Sequence, residues 1–477
     1  MRSPALLPPA LLLLGSLTLT AACANGSGTP DPSPEPVQAG PSSSVSRAVD
    51  PSKIKGLEIV NDSSEQRSCP FAVSYPDVPG AEAMTAAMKA DADRRVASFR
   101  SSRCGNGSPS VGELNVSHQF LVASGDVLGV RLTTVDSSGA GNGRSTSTYW
   151  YDGRDGAYRQ ALDLIADGSR DAFTGALKQR LKGREGVDPT SLDDSFADAT
   201  HRSGFLDDLS FTAVGGIRVQ LDSGTVGASA AGSYVVSLDK ATVTPWLSPF
   251  GRRAQKQTEH PNGDLDLGAP STPSAAVPTH TASADDDTDC KKVKCIALTF
   301  DDGPAAPETA NLLNHLARYK ARVTFFTVGQ NVAAHPELVR AEAKAGHEVG
   351  NHSWNHPDLT KLTPEQVAFQ LGRTSSAIKA ATGTAPTLFR PPYGAVNAQV
   401  KAATTLSPVL WDVDTEDWKY RDSAKVAQTV IAKAQRNSVV LMHDIHPTSV
   451  AAVPEILRSL TAEGFHFVTV SHLRATL

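Results

Sequence analysis

The sequence predicts an α/β protein whose C-terminal part is a distorted (β/α) barrel of about seven parallel strands, preceded by a separate α+β domain. Three observations carry this reading. From Cys295 onward, short apolar runs alternate with helical stretches, the pattern of a parallel sheet with right-handed crossovers, open or closed into a barrel. Two stretches dense in Pro, Ser, Gly or Thr, around 26–51 and 251–289, lack the apolar residues that offset ordering entropy and so divide the chain. Between them, alternating strands and amphipathic helical stretches follow one another without a regular βα order.

The chain has 477 residues, room for two or three domains, and its net charge of -5 gives no global signal for nucleic acid or for a basic membrane-binding face. Residues 1–22 read as a secretory signal peptide: Arg2, the apolar Leu11 to Leu14, then Ala21 and Ala22. The apolar run is too short, and too interrupted by Gly15, to be a spanning anchor. Cys23 follows directly, and the arrangement resembles a bacterial lipobox, with Thr20 where Leu is usual; it implies that Cys23 is lipidated and holds the protein at a bacterial cell membrane, with simple secretion as the alternative. Residues 23–54 then form a disordered tether.

Residues 55–250 form the α+β domain. Leu57 to Val60, Leu114 with Val116, and Leu128 to Leu132 read as half-buried strands, Ser124-Gly125-Asp126 as a hairpin turn, and Thr146 to Tyr151 as a further strand. Gly80 to Phe99 is an amphipathic helix, with more helix at 170–181 and 190–199 and strands around Gly215-Gly216. No convergent set of catalytic residue types occurs here. Its pattern and domain order resemble extracellular domains found ahead of some wall-modifying deacetylases and in lysozyme-sensing anti-sigma factors. Asn61 and Asn115 fit the glycosylation pattern but read as ordinary turn and strand residues. Four cysteines fall two on each side of the 251–289 linker, and proximity pairs Cys69 with Cys104 and Cys290 with Cys295.

Residues 290–477 hold the regular alternation. Strands are expected at 296–300, 323–328, 348–351, 387–389, 409–413, 439–442 and 467–470, with helices starting near Pro307, Pro336, Pro364, Asn397, Ser423 and Thr448. Barrel enzymes carry their chemistry at the C-terminal strand ends. Those ends present Asp301 and Asp302, His352 and His356, Arg390 and Tyr393, Asp414, Asp417 and Trp418, and His443. The first strand stops at Gly303-Pro304, so its two adjacent carboxylates meet different neighbours, one suited to a metal and the other to a base. His352 and His356 have the i, i+4 spacing that brings two imidazoles to one side of a helical turn, and a carboxylate from another strand completes a two-His-one-carboxylate site. Asp417 can orient His443 for acid–base work.

Five segments in order, Thr299-Phe-Asp-Asp-Gly-Pro304, His352-Ser-Trp-Asn-His356, Arg390-Pro-Pro-Tyr393, Asp414-Thr-Glu-Asp-Trp418 and Leu441-Met-His443, resemble the polysaccharide deacetylase family, also called NodB-homology domains or carbohydrate esterase family 4. The resemblance implies that Asp302, His352 and His356 hold a divalent metal, commonly zinc. It makes Asp301 the base that deprotonates the attacking water, Arg390 its partner, and the backbone N–H of Tyr393 an oxyanion donor. His443, oriented by Asp417, protonates the leaving amine, while Trp418 and Leu441 form an apolar wall around the acetyl methyl group. Trp354, Asp414, Asp444 and His446 take supporting places.

The expected activity is metal-dependent N-deacetylation of glycan. An exported, tethered enzyme meets peptidoglycan first, so its N-acetylglucosamine or N-acetylmuramic acid is the expected substrate. Chitooligosaccharide, poly-N-acetylglucosamine and acetylxylan follow, and a wall-binding or sensing lipoprotein with an inert barrel is the reading of a different class. No nucleic-acid partner is expected, and the first domain is left with a possible protein or wall ligand.

Overall fold

The computed structural model describes residues 49–64, 69–104, 112–137, 143–197, 204–268 and 287–477. The expected signal peptide, Cys23, most of the tether and residues 269–286 of the linker lie outside them. Among the described residues no helix is long and apolar enough to cross a membrane.

In the first part, β1 (Glu58–Ser64), β2 (Phe71–Asp77), β3 (Leu114–Ser124), β4 (Val127–Asp136), β5 (Gly143–Asp152) and β6 (Ala157–Gln160) form one sheet in chain order. All neighbours are antiparallel except β2 and β3, whose crossover contains the helix Glu82–Arg103. That helix puts Met84, Met88, Ala92 and Phe99 into the same buried cluster as Phe71, Val116 and Val130. The Cys69–Cys104 disulfide, Cα–Cα 5.3 Å, ties the end of the helix to a position two residues ahead of β2. The predicted hairpin turn is where the sequence places it, with Ser124 paired to Val127. A second core lies around Trp150 and gathers β7 (Asp208–Phe211), β8 (Ile217–Leu221), β9 (Tyr234–Leu238) and the helix Arg170–Leu181.

Two expected boundaries move. Val49 to Ile54, assigned to the tether, is folded: Pro51–Lys53 is a 3-10 turn capped by Asp50, and Ile54 is buried in the first core. Residues 251–259, assigned to the linker, continue the helix Pro249–Glu259, which is capped by the Ser248 side chain and buries Phe250, Ala254 and Thr258 at i, i+4 and i+8.

The second part contains β10 (Lys294–Asp301), β11 (Thr324–Thr327), β12 (Glu348–Asn351), β13 (Leu388–Phe389), β14 (Ser407–Pro408), β15 (Val413–Asp414), β16 (Val439–His443) and β17 (Phe465–Phe467). The sheet order is β14-β13-β12-β11-β10-β16-β15, with β17 pairing the start of β10 and every pairing parallel. The distortion is located at the expected fifth strand. It is split into β14 and β15, which border opposite edges of the sheet: Val409 N–H donates to Phe389 O at 2.9 Å, whereas Asp412 N–H donates to Val439 O at 2.9 Å. The expected last strand ends at Phe467, and Val470 already begins the helix Val470–Thr476, capped by Thr469. Pro336, Pro364 and Pro447 each start a helix.

Alternation along β10 positions the site. Ile296, Leu298 and Phe300 pack outward on Leu312, Leu316, Ile456 and Leu460 of the covering helices. Cys295, Ala297, Thr299 and Asp301 face the other way, so the inward row rises from the Cys290–Cys295 disulfide to a carboxylate at the strand tip.

Candidate active site

Each predicted group stands at or near a C-terminal strand end, or in the loop or short helix that follows it. Asp302 leaves β10 in a left-handed conformation, φ 72°, and its carbonyl accepts the Asn331 side-chain amide at 2.6 Å. Ser353 (φ 64°), His356 (φ 59°), Tyr393 (φ 59°) and Glu416 (φ 52°) are left-handed as well, so five strained non-glycine residues surround one centre. Such a concentration marks backbone forced to aim side chains.

The histidine pair differs from the expectation of a helical turn. Residues 352–358 are a loop in which Ser353 and His356 are left-handed, Asn351 Oδ1 accepts the Ser353 N–H at 2.8 Å, and Ser353 Oγ accepts the His356 N–H at 3.1 Å. Two such residues reverse the chain within five positions, bringing the rings to 4.9 Å between centroids without a helix. Asp302 Oδ1 is 3.5 Å from Nε2 of His352 and 3.5 Å from Nε2 of His356. All three residues are buried, and their ligand atoms lie within 4.8 Å of one another.

A divalent cation fits this set. Ligand atoms each about 2.0–2.1 Å from a tetrahedral ion are about 3.3–3.4 Å apart, close to the observed spacing. Asp302 Oδ1 is buried without a hydrogen-bond partner, which a carboxylate oxygen does not tolerate unless something positive meets it. His352 Nδ1 donates to Arg390 O at 2.7 Å, leaving the Nε2 lone pair facing the cluster. Burial pushes both imidazoles down to about 3, so both are neutral, the ligating form.

Two acid–base groups flank the cluster. Asp301 is the register partner of His443 across β10 and β16, so the two occupy adjacent strand tips. Asp301 Oδ1 accepts from Arg390 Nη1 at 2.8 Å, and the same nitrogen donates to Thr299 Oγ1 at 2.7 Å. Arg390 is fully buried, with Val409 O accepting from Nε at 3.3 Å and the Phe326 ring 4.4 Å from its guanidinium carbon. Burial raises Asp301 to about 6 against the opposing pull of Arg390. On the other side, His443 Nδ1 donates to Asp417 Oδ1 at 2.8 Å. Asp417 Oδ2 also accepts from the His443 backbone N–H at 2.8 Å and from Ser449 Oγ at 2.6 Å. Burial works against charge on His443, but Asp417 outweighs it and raises the imidazole to about 10. Asp417, despite its burial, is held well below the usual carboxylate range by His443.

Leu441 is buried two residues before His443 on the same face of β16, and Trp418 is half-buried beside Asp417 with its indole N–H unbonded. The Tyr393 ring stands edge-on to His356, 4.7 Å between centroids, and its hydroxyl reaches His356 O at 3.4 Å. His446 lies 5.7 Å from His443 between ring centroids, and Asp414 Oδ1 accepts the Glu416 N–H at 2.8 Å. The Trp354 ring lies under Arg373, whose guanidinium carbon is 3.5 Å from its centroid.

Several participants escaped the sequence reading. Thr299 has a signal, being the polar residue two before Asp301 in a buried strand; Ser449 has none. Asp444, already given a supporting place by the sequence, is fully buried with Thr309 Oγ1 on Oδ2 and Oδ1 unbonded, and burial raises it to about 7. Near it, Glu342 is buried with both carboxylate oxygens unbonded, and burial raises it well above its ordinary value.

Comparison with known proteins meets this geometry. The family described as Polysaccharide deacetylase matches residues 288–407. The chain is 46% identical over 183 residues to peptidoglycan-N-acetylglucosamine deacetylase PgdA of Listeria monocytogenes, covering 38% of this chain and 39% of that one. It is 43% identical over 180 residues to peptidoglycan-N-acetylmuramic acid deacetylase PdaC of Bacillus subtilis, covering 38% of each. A peptidoglycan-N-acetylglucosamine deacetylase of Bacillus cereus is 38% identical over 192 residues, which cover 37% of this chain and 69% of that protein. The match thus spans under two fifths of the first two relatives' lengths and more than two thirds of the third.

Proposed function

The chain belongs to the polysaccharide deacetylase family, and on that premise we propose that it is an exported, metal-dependent hydrolase that removes acetyl groups from N-acetylated glycan of the bacterial wall. The observation that carries the reading is the placing of Asp301, held by Arg390, and His443, held by Asp417, as register neighbours beside the Asp302, His352 and His356 cluster. A base, an acid and a cation site within one strand-tip cluster are what amide hydrolysis requires.

Asp302, His352 and His356 would hold a divalent ion, zinc in the first instance, which when bound would supply Lewis-acid chemistry at the acetamide carbonyl and at water. Asp301 accepts the proton of the attacking water, and Arg390 keeps it ionised and fixed. The backbone N–H of Tyr393, which lies in a left-handed turn, would meet the developing oxyanion. His443, protonated at neutral pH, gives its proton to the amine nitrogen as the C–N bond breaks, and Asp417 stabilises the imidazolium. Leu441 and Trp418 bound the space for the acetyl methyl group.

Peptidoglycan N-acetylglucosamine or N-acetylmuramic acid is the proposed substrate, supported by the names of the relatives and by the leader-like sequence at 1–22, and Cys23 is the proposed lipid anchor at the outer face of the membrane. Acetate release from peptidoglycan, chitooligosaccharide and acetylxylan, with and without added divalent metal, tests it. Metal-dependent release from peptidoglycan is expected; release from acetylxylan alone, or from none of them, refutes it.

A further inference from the structure

The first domain does not stand apart from the catalytic centre. Ser63, at the end of β1, donates its hydroxyl to Asp302 Oδ2 at 3.4 Å in a buried setting. Asp62 pairs with Arg421 at 3.5 Å, just past the helix Asp417–Tyr420 that carries Trp418. From β3, Asn115 Nδ2 donates to Asn355 O at 2.9 Å and to His356 O at 3.4 Å. The Glu113 carboxylate accepts the Asp358 N–H at 2.9 and 3.1 Å, and His118 O accepts from Gln330 Nε2 at 2.6 Å. Ala334 of the second domain packs into the first domain's core.

These contacts join three of the loops around the site: the one that bears Asp302, the one that bears His356, and the one that follows Trp418. Asp301 and His443 stand beside the first of these loops, at the adjacent tips of β10 and β16. An enzyme that acts within a polymer needs a groove open along the chain, yet Asp301, Asp302, His352, His356 and His443 are at most 5% exposed. The seam does hold a cavity of about 830 Å³, lined by Glu113, Asn115 and His118 on one side and Trp354, Asn355 and Asp358 on the other. None of the five buried groups lines it.

We propose that the first domain is an autoinhibitory cover, bridging the loops around the catalytic centre through β1 and β3, and that glycan reaches the site only when this interface opens. The proposal rests on the function proposed above. It differs from a domain that completes the site, because a completing domain leaves a path for the polymer.

The test uses the zinc-loaded full chain. Asp62→Arg sets like charge against Arg421, and Asn115→Ala removes the side-chain bonds to Asn355 and His356. In the double variant, stripping of zinc by dipicolinate is expected to accelerate about tenfold, equivalent to about 1.4 kcal/mol of weakened closure. Acetate release from soluble chitotetraose is expected to rise with it. Adding Arg421→Asp to Asp62→Arg re-forms the pair with reversed charges and is expected to restore slow stripping, which a merely destabilised variant would not show. Stripping rates equal to wild type, or faster stripping with reduced acetate release, overturn the cover. If neither wild type nor any variant releases acetate, the proposed activity fails, and the stripping rates still decide the cover.

Discussion

Replacing Asp417 by asparagine preserves volume and removes one charge. The carboxylate accepts from His443 Nδ1 and N and from Ser449, and it is the leading cause of the rise of His443 to about 10. Without it, burial lowers the imidazole against the weaker pull of Asp302 and Asp301, and its pKa falls toward the ordinary value near 6.5. Wild-type His443 is essentially all protonated at pH 8, whereas an imidazole of pKa about 6.5 is about 3% protonated there and about 25% at pH 7. If His443 is the acid, the variant's kcat/KM relative to wild type falls by about fourfold at pH 7 and about thirtyfold at pH 8, in addition to any constant loss from poorer orientation. Acetate release from a soluble chitooligosaccharide between pH 6 and 9 measures this ratio, and the His443 ring signals in NMR follow the proton directly. A ratio flat with pH refutes the role of Asp417 in keeping His443 charged. The pair also links stability to pH: the His443 part is complete below about 6.5 and lost as pH rises through about 10, and the Asp417 part is present above the ordinary carboxylate range and lost as pH falls below it.

Other expectations are thermodynamic. Glu342 has a folded pKa above its unfolded one, so its contribution to stability is lost as pH rises from about 4.5 through the folded value. Glu342→Gln is therefore expected to raise stability at pH 8 by about 1–3 kcal/mol and by less at pH 5, read from melting curves at both pH values; equal shifts contradict the assignment. Breaking the Cys69–Cys104 loop, with a separation of 35, should cost about 3.8 kcal/mol, against about 2 kcal/mol for Cys290–Cys295 with a separation of 5. Serine pairs at each site, compared by denaturant unfolding, decide the order.

Most of the catalytic domain was legible because its physics is local and repeated. Apolar runs bounded by turn residues gave the strands, Pro at first helical positions gave the helix starts, and the strand tips gave the site. The fifth strand misled because its apolar residues read as one run while its two halves pair with opposite sheet edges, a tertiary fact. In the first domain β2 escaped because Phe71 to Asp77 is buried on both faces and shows no alternation. The helix Pro249–Glu259 escaped because its buried stripe at Phe250, Gly251, Ala254, Gln255 and Thr258 holds just two apolar side chains in an otherwise polar segment. The histidine loop was read as a helical turn because spacing alone does not reveal left-handed residues at 353 and 356. Nothing local announces Ser63 on Asp302, a contact between residues 239 positions apart.

The central claim is the division of labour between the two carboxylates at the tip of β10, one for the metal and one for the proton. Metal content and acetate release measured on the same samples of Asp301→Asn and Asp302→Asn test it most directly. The account predicts that Asp302→Asn loses metal and regains part of its activity in excess zinc. Asp301→Asn should keep its metal while turnover falls by about 10² to 10⁴, with no rescue. Metal lost from Asp301→Asn and retained by Asp302→Asn would contradict it.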